Sequence, residues 1–511
     1  MRVRRSLLNF GTSVLFLAVT MLVALKAKPW LVAWLGKKRF GGSRVVFDCL
    51  GWLTLLELGL GGAMGPLLAR VIGEKDERAV RATVATGARA YLGVSLVTVL
   101  VGVLATPLVP RFARDLSGVD VADLKRAWLV GLASFLSLAL LPMRWVVEAR
   151  QFGYVVNLLM LGQSLLITAL SLLLAWAGRG MTGQAAAQVI GVWTFSLALA
   201  AGVLHANPGM LRAALTEPSS TEARGALWRL SLPTLMIQLS GRLGLLTDNL
   251  MVGGIRGTVS VTSLVNTQQL TSIGQGVLQG AGGATWAALA ELHHQGDHAT
   301  FNRRLIEITR AVAVLGIIGL VPIVAYNRAF VRLWLGADLY AGDAVTILAA
   351  VNTVLLAEQS LWAWCFHATG KVRELVTPAV AAAVLNVAVS VWLTYRIGTA
   401  GPLIGTTVGF VAVGLWALPA RLNRAFGTPI GPLFRAIGVP SAVGTIAAVA
   451  LRSWTARHEP AGWPGLVTGM SISGLLMLAL SVVFLIPASE RTAWKQRLVL
   501  LLPSRRGAPG S

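Results

Sequence analysis

Apolar residues run for about twenty positions at a time between short polar clusters, almost from one end of the chain to the other. The runs lack the two-residue alternation of half-buried strands, and at ~20 residues each they match a helix crossing a hydrocarbon layer. Fourteen such spans are predicted, at 9–32, 45–69, 90–110, 128–147, 153–177, 183–205, 230–253, 261–289, 311–330, 344–367, 375–395, 401–420, 436–453 and 464–487. Gly153 to Gly178 and Ile397 to Ala420 carry no charge, whereas the fourth span is interrupted by Pro142 and Arg144. The first follows a basic start like that of a signal peptide and is read as an uncleaved span.

The pattern also repeats. LGLGGAMGPLLARVIGEKD at 58–76 recurs without a gap, 221 positions later, as QGAGGATWAALAELHHQGD at 279–297. The register pairs Gly59 with Gly280, Gly61 with Gly282 and Asp76 with Asp297, and extends to Gly36 with Gly257 and Arg89 with Arg310. Internal duplication is common among transporters. An even number of spans separates the copies, so both enter the membrane from the same side, as parallel repeats related by an axis along the membrane normal. The resulting organisation is a six-helix repeat at 1–206, a cytoplasmic connector at 207–229, a second six-helix repeat at 230–425, and two appended helices with a basic tail at 426–511.

Composition changes the picture in one respect. With 55% hydrophobic and 13% charged residues, and a mean hydropathy of +0.70, the 511-residue chain is a polytopic membrane protein. Its formal charge of +23 comes from 44 Lys and Arg scattered through the loops, which fits topology and anionic lipid and excludes a nucleic-acid surface. The balance of basic residues places both termini in the cytoplasm, against six basic residues in the first outer loop, Lys26 to Arg44. The cysteines, Cys49 and Cys365, both fall in apolar runs and read as core residues. No GxxxxGK[ST] loop or Ser/His/Asp set is present, and no cofactor or metal site is expected. His293, His294 and His298 read as a solvated loop.

Two segments carry a family likeness. TDNLMVGGIRGTVSVTSL, from Thr247, and PWLVAWLGKKRFGGSRVVFDCLGWLTLLELGLGGAM, from Pro29, resemble the multidrug/oligosaccharidyl-lipid/polysaccharide flippase superfamily, above all its polysaccharide-export (Wzx-like) branch. The first hairpin departs from that pattern in being more basic. The resemblance implies an all-α fold whose spans 1, 2, 7 and 8 line a central cavity and work by alternating access in the cytoplasmic membrane. It implies no enzyme chemistry. The expected cargo is an undecaprenyl-diphosphate-linked oligosaccharide, with lipid II or a cation-coupled drug as alternatives. Energy would come from Na+, H+ or the membrane potential, and a polysaccharide polymerase or glycosyltransferases would be partners. A membrane glycosyltransferase is disfavoured, because the outer loops are short.

Charges within the spans are the candidate site residues, since each costs roughly 2.5–3.5 kcal/mol to insert and therefore faces a partner or a wet cavity. Arg242, Glu57 and Glu358 fall near span centres and Asp248 near the outer end of span 7. Under the duplication Glu57 matches Leu278 and Arg242 matches Met21, so each half carries one central charge that the other lacks. Arg242 and Asp248 lie ~240° apart around a helix and cannot neutralise each other, whereas Arg242 can meet Glu57 across spans 7 and 2. A guanidinium offers forked donors to phosphate, so Arg242 is the expected diphosphate ligand and Glu57 its competitor in the empty state. The alternative is a structural ion pair. Lys26 and Lys28 flank Ala27, the counterpart of Asp248, where they would draw a headgroup, pair with Asp248 or snorkel. Arg144 and Glu148 have the spacing of a local helix pair. Glycines of spans 2 and 8 would serve close packing or bending.

Overall fold

The computed structural model describes residues 2–57, 59–209, 225, 235, 247–283 and 286–492. The described residues form helices α1 (Arg2–Leu53), α2 (Leu60–Gly73), α3 (Glu77–Ala105), α4 (Val119–Leu132), α5 (Leu141–Ala149), α6 (Gly153–Trp176), α7 (Gly180–Ala206), α8 (Thr247–Arg256), α9 (Thr258–Thr267) and α10 (Gln269–Gly283). There follow α11 (Trp286–His294), α12 (His298–Leu335), α13 (Asp343–Ala368), α14 (Arg373–Ile397), α15 (Gly401–Gly409), α16 (Leu415–Phe426), α17 (Ile430–Arg457) and α18 (Trp463–Leu480). Among the described residues ten helical stretches are long and apolar enough to cross a membrane, making this an all-α, multi-pass membrane protein. Two of them, Gly11–Glu57 and Arg373–Phe426, have 47 and 54 residues, each enough for two crossings.

Local sequence explains where the helices start and bend. Asp76 accepts bonds from Arg78 N and Ala79 N, both at 2.9 Å, and Asp297 accepts one from Thr300 N at 3.0 Å. The acids paired by the duplication are thus the N-caps of α3 and α12. Each is preceded by a residue in left-handed backbone, Lys75 and Gly296. Gly36 and Gly257 match as well, with φ of 75° and 93°, kinking α1 and separating α8 from α9. Asp115 then caps α9, accepting from Thr258 N at 2.6 Å and Val259 N at 3.4 Å.

Other irregularities depart from the sequence reading. The stretch read as one span over 261–289 is not one helix. It turns at Gln268, where Thr267 O accepts from Asn327 Nδ2 at 2.8 Å. The fourth span contains an eight-residue 3-10 segment, Ala133–Leu140, before Pro142 opens α5, and Arg144 pairs there with Glu148 at 2.8 Å.

The chain divides into two compact units. The first comprises Met1–Asn266 with Ala379–Gly409, and the second Thr267–Pro378 with Phe410–Ser511. In the first, α1 packs along α6 and α7, pinned by Asn157 Nδ2 donating to Ser13 Oγ at 2.8 Å and Tyr154 N donating to Asn9 Oδ1 at 2.6 Å. A close contact joins α1 to α9. Thr262 Oγ1 donates to Lys37 O at 2.7 Å, and a Cβ on Gly41 would lie 1.9 Å from Thr258 O. The 221-residue offset maps Lys37 onto Thr258 and Gly41 onto Thr262, so the two contacts exchange with each other, as at a local twofold axis. In the second unit α12 is central, flanked by α13, α17 and α18, over a core that includes Phe301, Trp362, Phe366 and Phe426.

Gly41→Ala tests the α1–α9 approach. Overpacking of this kind costs about 1–3 kcal/mol, so the purified variant should melt several degrees below wild type, whereas Gly93→Ala, which has open space around it, should not. Equal melting of Gly41→Ala and wild type would remove the contact from the account.

Candidate functional site

The first unit gathers a group of opposed charges beside the kink in α1, Lys28 buried and Arg44, Asp48 and Asp248 half-buried. Beyond Gly36, Phe40, Arg44 and Asp48 follow at four-residue intervals and share one helix face. Lys28, on the other arm of α1, is only 5% exposed. Its ammonium lies 5.8 Å from the Phe40 ring centroid and the Arg44 guanidinium lies 5.2 Å from it. The two cations are close enough to repel, and the ring face offsets part of that cost. From α8, Asn249 Nδ2 donates to Asp48 Oδ2 at 2.8 Å, and Asp248 lies within electrostatic reach of Asp48. Buried Arg44 Nε and Asp248 Oδ1 have no hydrogen-bond partner among the described residues. The arrangement presents two adjacent cations, one with an unspent donor, and two carboxylates that compete with any incoming anion.

Glu57 stands elsewhere in the unit, at a helix break. The helix ends at Leu53, continues as a 3-10 turn over Thr54–Glu57, and restarts at Leu60 after the left-handed Gly59. Glu57 Oε1 accepts from Gly61 N at 3.0 Å and from Tyr91 Oη at 2.9 Å, so the carboxylate serves the exposed N-terminus of α2. Gly61 is required by this approach, since a Cβ there would lie 2.8 Å from Oε1. The sequence placed Glu57 in mid-helix facing Arg242; here its described partners belong to α2 and α3.

The remaining candidates separate. Arg242 lies outside the described residues. Lys26 is exposed while Lys28 is buried, so two lysines read together have different surroundings. Glu358 belongs to the second unit, in α13, with no exposed surface and neither carboxyl oxygen partnered among the described residues. His293 packs edge-on to Phe426, its centroid 5.2 Å away, in an aromatic group with Phe301. Arg310 pairs with Glu490. Sequence reasoning passed over Arg44 and Phe40, which it placed in or beside a basic outer loop, and over Tyr91. The four-residue spacing of Phe40, Arg44 and Asp48 was the available signal.

Comparison with known proteins gives the fold a context. The MatE family profile matches residues 10–129. No curated protein matches the sequence. Among solved structures, the lipid II flippase MurJ in an inward closed conformation superposes with a TM-score of 0.71 at 13% identity, over 94% of this chain and 98% of that one. An inward-facing multidrug resistance MATE family transporter of the MOP superfamily gives 0.63 at 18% identity, over 86% and 99%. A eukaryotic MATE transporter gives 0.57 at 13% identity, over 86% and 99%. The chain shares the fold of these membrane transporters.

Two substitutions probe the buried acids. Tyr91→Phe deletes a hydrogen bond to a charged acceptor and should cost about 1.5–3 kcal/mol, read as a lower melting temperature. Glu358→Met exchanges an unpartnered polar group for an apolar one of similar size, and melting should stay level or rise. A marked fall would mean that Glu358 holds the fold through a partner.

Proposed function

We propose that this chain is an alternating-access flippase of the MOP superfamily that moves a polyprenyl-diphosphate-linked saccharide across the cytoplasmic membrane. The observation that carries this reading is the pairing of buried Lys28 with half-buried Arg44 on opposite sides of the Gly36 kink, with Arg44 Nε unspent. A diphosphate carries enough charge to engage two adjacent cations, and a guanidinium binds phosphate oxygens through forked donors. Likeness to the lipid II flippase over nearly the whole length favours lipid II as the cargo. The hairpin sequences from Pro29 and Thr247 favour the second reading, an undecaprenyl-diphosphate-linked oligosaccharide. Fourteen spans, parallel six-helix repeats and cytoplasmic termini belong to the same proposal.

Alternating access needs places where helices bend cheaply. The chain passes from one compact unit to the other at the Gln268 turn, at Pro378 within α14, and at the π turn Phe410–Gly414. Each interrupts regular helix, which is where bending occurs in packed helices. Coupling to Na+, H+ or the membrane potential would supply the energy.

Proteoliposome flipping of lipid II and of an undecaprenyl-diphosphate oligosaccharide, measured side by side, tests the reading. Loss of one charged hydrogen bond, at about 1.5–3 kcal/mol, corresponds to a fall of about 10- to 100-fold. That fall is expected for Lys28→Ala, Arg44→Ala and Arg242→Ala, with Arg242→Lys intermediate. Full activity in all four variants would refute a diphosphate held by these cations, and flipping of neither lipid by wild type would refute the cargo class.

A further inference from the structure

The second unit contains a separate polar cavity of about 320 Å³, room for about ten waters, between the end of α12, the start of α13 and the α17–α18 turn. Arg328, Arg332, Tyr340, Gly342, Asp343 and Glu459 are among its lining residues. Both carboxylates already have an arginine. Arg332 donates to Glu459 at 2.9 Å and to Pro460 O at 2.6 Å, while Arg452 donates to Asp343 Oδ2 at 2.5 Å. Tyr340 Oη donates to Asp343 Oδ1 at 2.6 Å. Arg328 differs. It is exposed, it feels Asp343 only through space, and it makes no hydrogen bond or ion pair with any described residue. The charged lining residues are two arginines and two carboxylates, and because Arg332 and Arg452 hold the carboxylates, Arg328 is the lining guanidinium whose donors stay unspent.

The surroundings fix the depth of this cavity in a bilayer. Trp334 packs on Phe330 with centroids 5.0 Å apart, and Trp463 meets the same ring edge-on at 6.1 Å. Trp454 and Trp463 are 53% and 45% exposed, on the helices that bear Arg452 and follow Glu459. Tryptophans grouped at helix ends mark the headgroup level. Below them α17 and α18 expose Ile446, Val449 and Val467, surfaces suited to acyl chains. The unspent guanidinium of Arg328, the volume and the depth therefore suit a ligand with an anionic group, a polar head and an apolar tail.

We propose that this cavity binds the phosphodiester headgroup of an anionic phospholipid, with Arg328 taking the phosphate oxygens. The headgroup hydroxyls would donate to Glu459 or to the carboxylate of Asp343, and the acyl chains would leave along α17 and α18. The site is distinct from the Lys28–Arg44 cluster, and the proposal stands whether or not that cluster carries the transported lipid.

Full-length protein in nanodiscs of equimolar phosphatidylglycerol and phosphatidylcholine, followed by native mass spectrometry of retained lipid, tests it. Wild type should retain phosphatidylglycerol over phosphatidylcholine by about tenfold. Arg328→Ala should abolish that preference, Arg328→Lys should keep part of it, and Arg396→Ala, at an exposed arginine elsewhere, should keep all of it. Circular dichroism of each variant verifies the fold. Equal retention of the two lipids by wild type, or an undiminished preference in Arg328→Ala, would overturn the proposal. So would glycerol phosphate displacing the retained lipid, which would make the ligand a soluble phosphate.

Discussion

In hydrocarbon every backbone N–H and C=O must find a partner within the protein, because an unmet group costs several kcal/mol. A regular helix meets this requirement by itself. This chain departs from regular helix repeatedly, and at four of these departures a polar side chain bonds the backbone. Glu57 accepts from Gly61 N where α2 restarts, Asp115 accepts from Thr258 N and Val259 N beyond Gly257, Asn327 donates to Thr267 O, and Gln359 donates to Phe410 O in the π turn. These polar residues are framework first. Any part they take in transport is added to a structural duty, and their removal would disturb the break itself.

The duplication separates framework from function. Positions that keep their chemistry in both copies are structural: Gly36 and Gly257 break helices, and Asp76 and Asp297 cap them. Positions that differ carry the unusual charges. Lys28 corresponds to Asn249, Ala27 to Asp248, Arg44 to Val265 and Glu57 to Leu278. A contact across a twofold axis can be held by like residues on both sides, whereas an asymmetric ligand needs unlike ones. The cluster beside Gly36 therefore combines a symmetric hinge with asymmetric chemistry.

Hydropathy reads the helices because it measures the cost of exposing side chains to lipid, and the capping aspartates were legible because their spacing from matched glycines repeats. The breaks were hidden. Thr267, Gln268 and Leu53 to Gly59 barely alter mean hydropathy, since what changes there is the direction of the backbone hydrogen bonds. Glu57 was thus visible as a charge and invisible as a cap. Arg44 was hidden for the opposite reason. Six basic residues between positions 26 and 44 resemble a solvated loop, but α1 is helical on both sides of the Gly36 kink and turns Lys28 and Arg44 toward Phe40. The preference of one interior face over another is set by packing against α8, which no single-segment pattern records.

That inward turn has an electrostatic consequence. Lys28 and Arg44 repel each other, and Asp48 and Asp248 do the same. Asn249 binds one oxygen of Asp48 through a neutral amide and leaves Arg44 Nε without an acceptor. The cluster is formally neutral, yet among the described residues Arg44 is not closed into a forked pair with either aspartate. A closed bidentate pair would resist an incoming anion, because its bonds would have to be broken before new ones formed. A cation lying over an aromatic face keeps its N–H donors available, since the ring attracts the charge without accepting their hydrogen bonds as a carboxylate would. Phe40 thus offsets part of the repulsion between two positive charges held together beside the Gly36 kink, a property that the proposed uptake and release of a diphosphate would use.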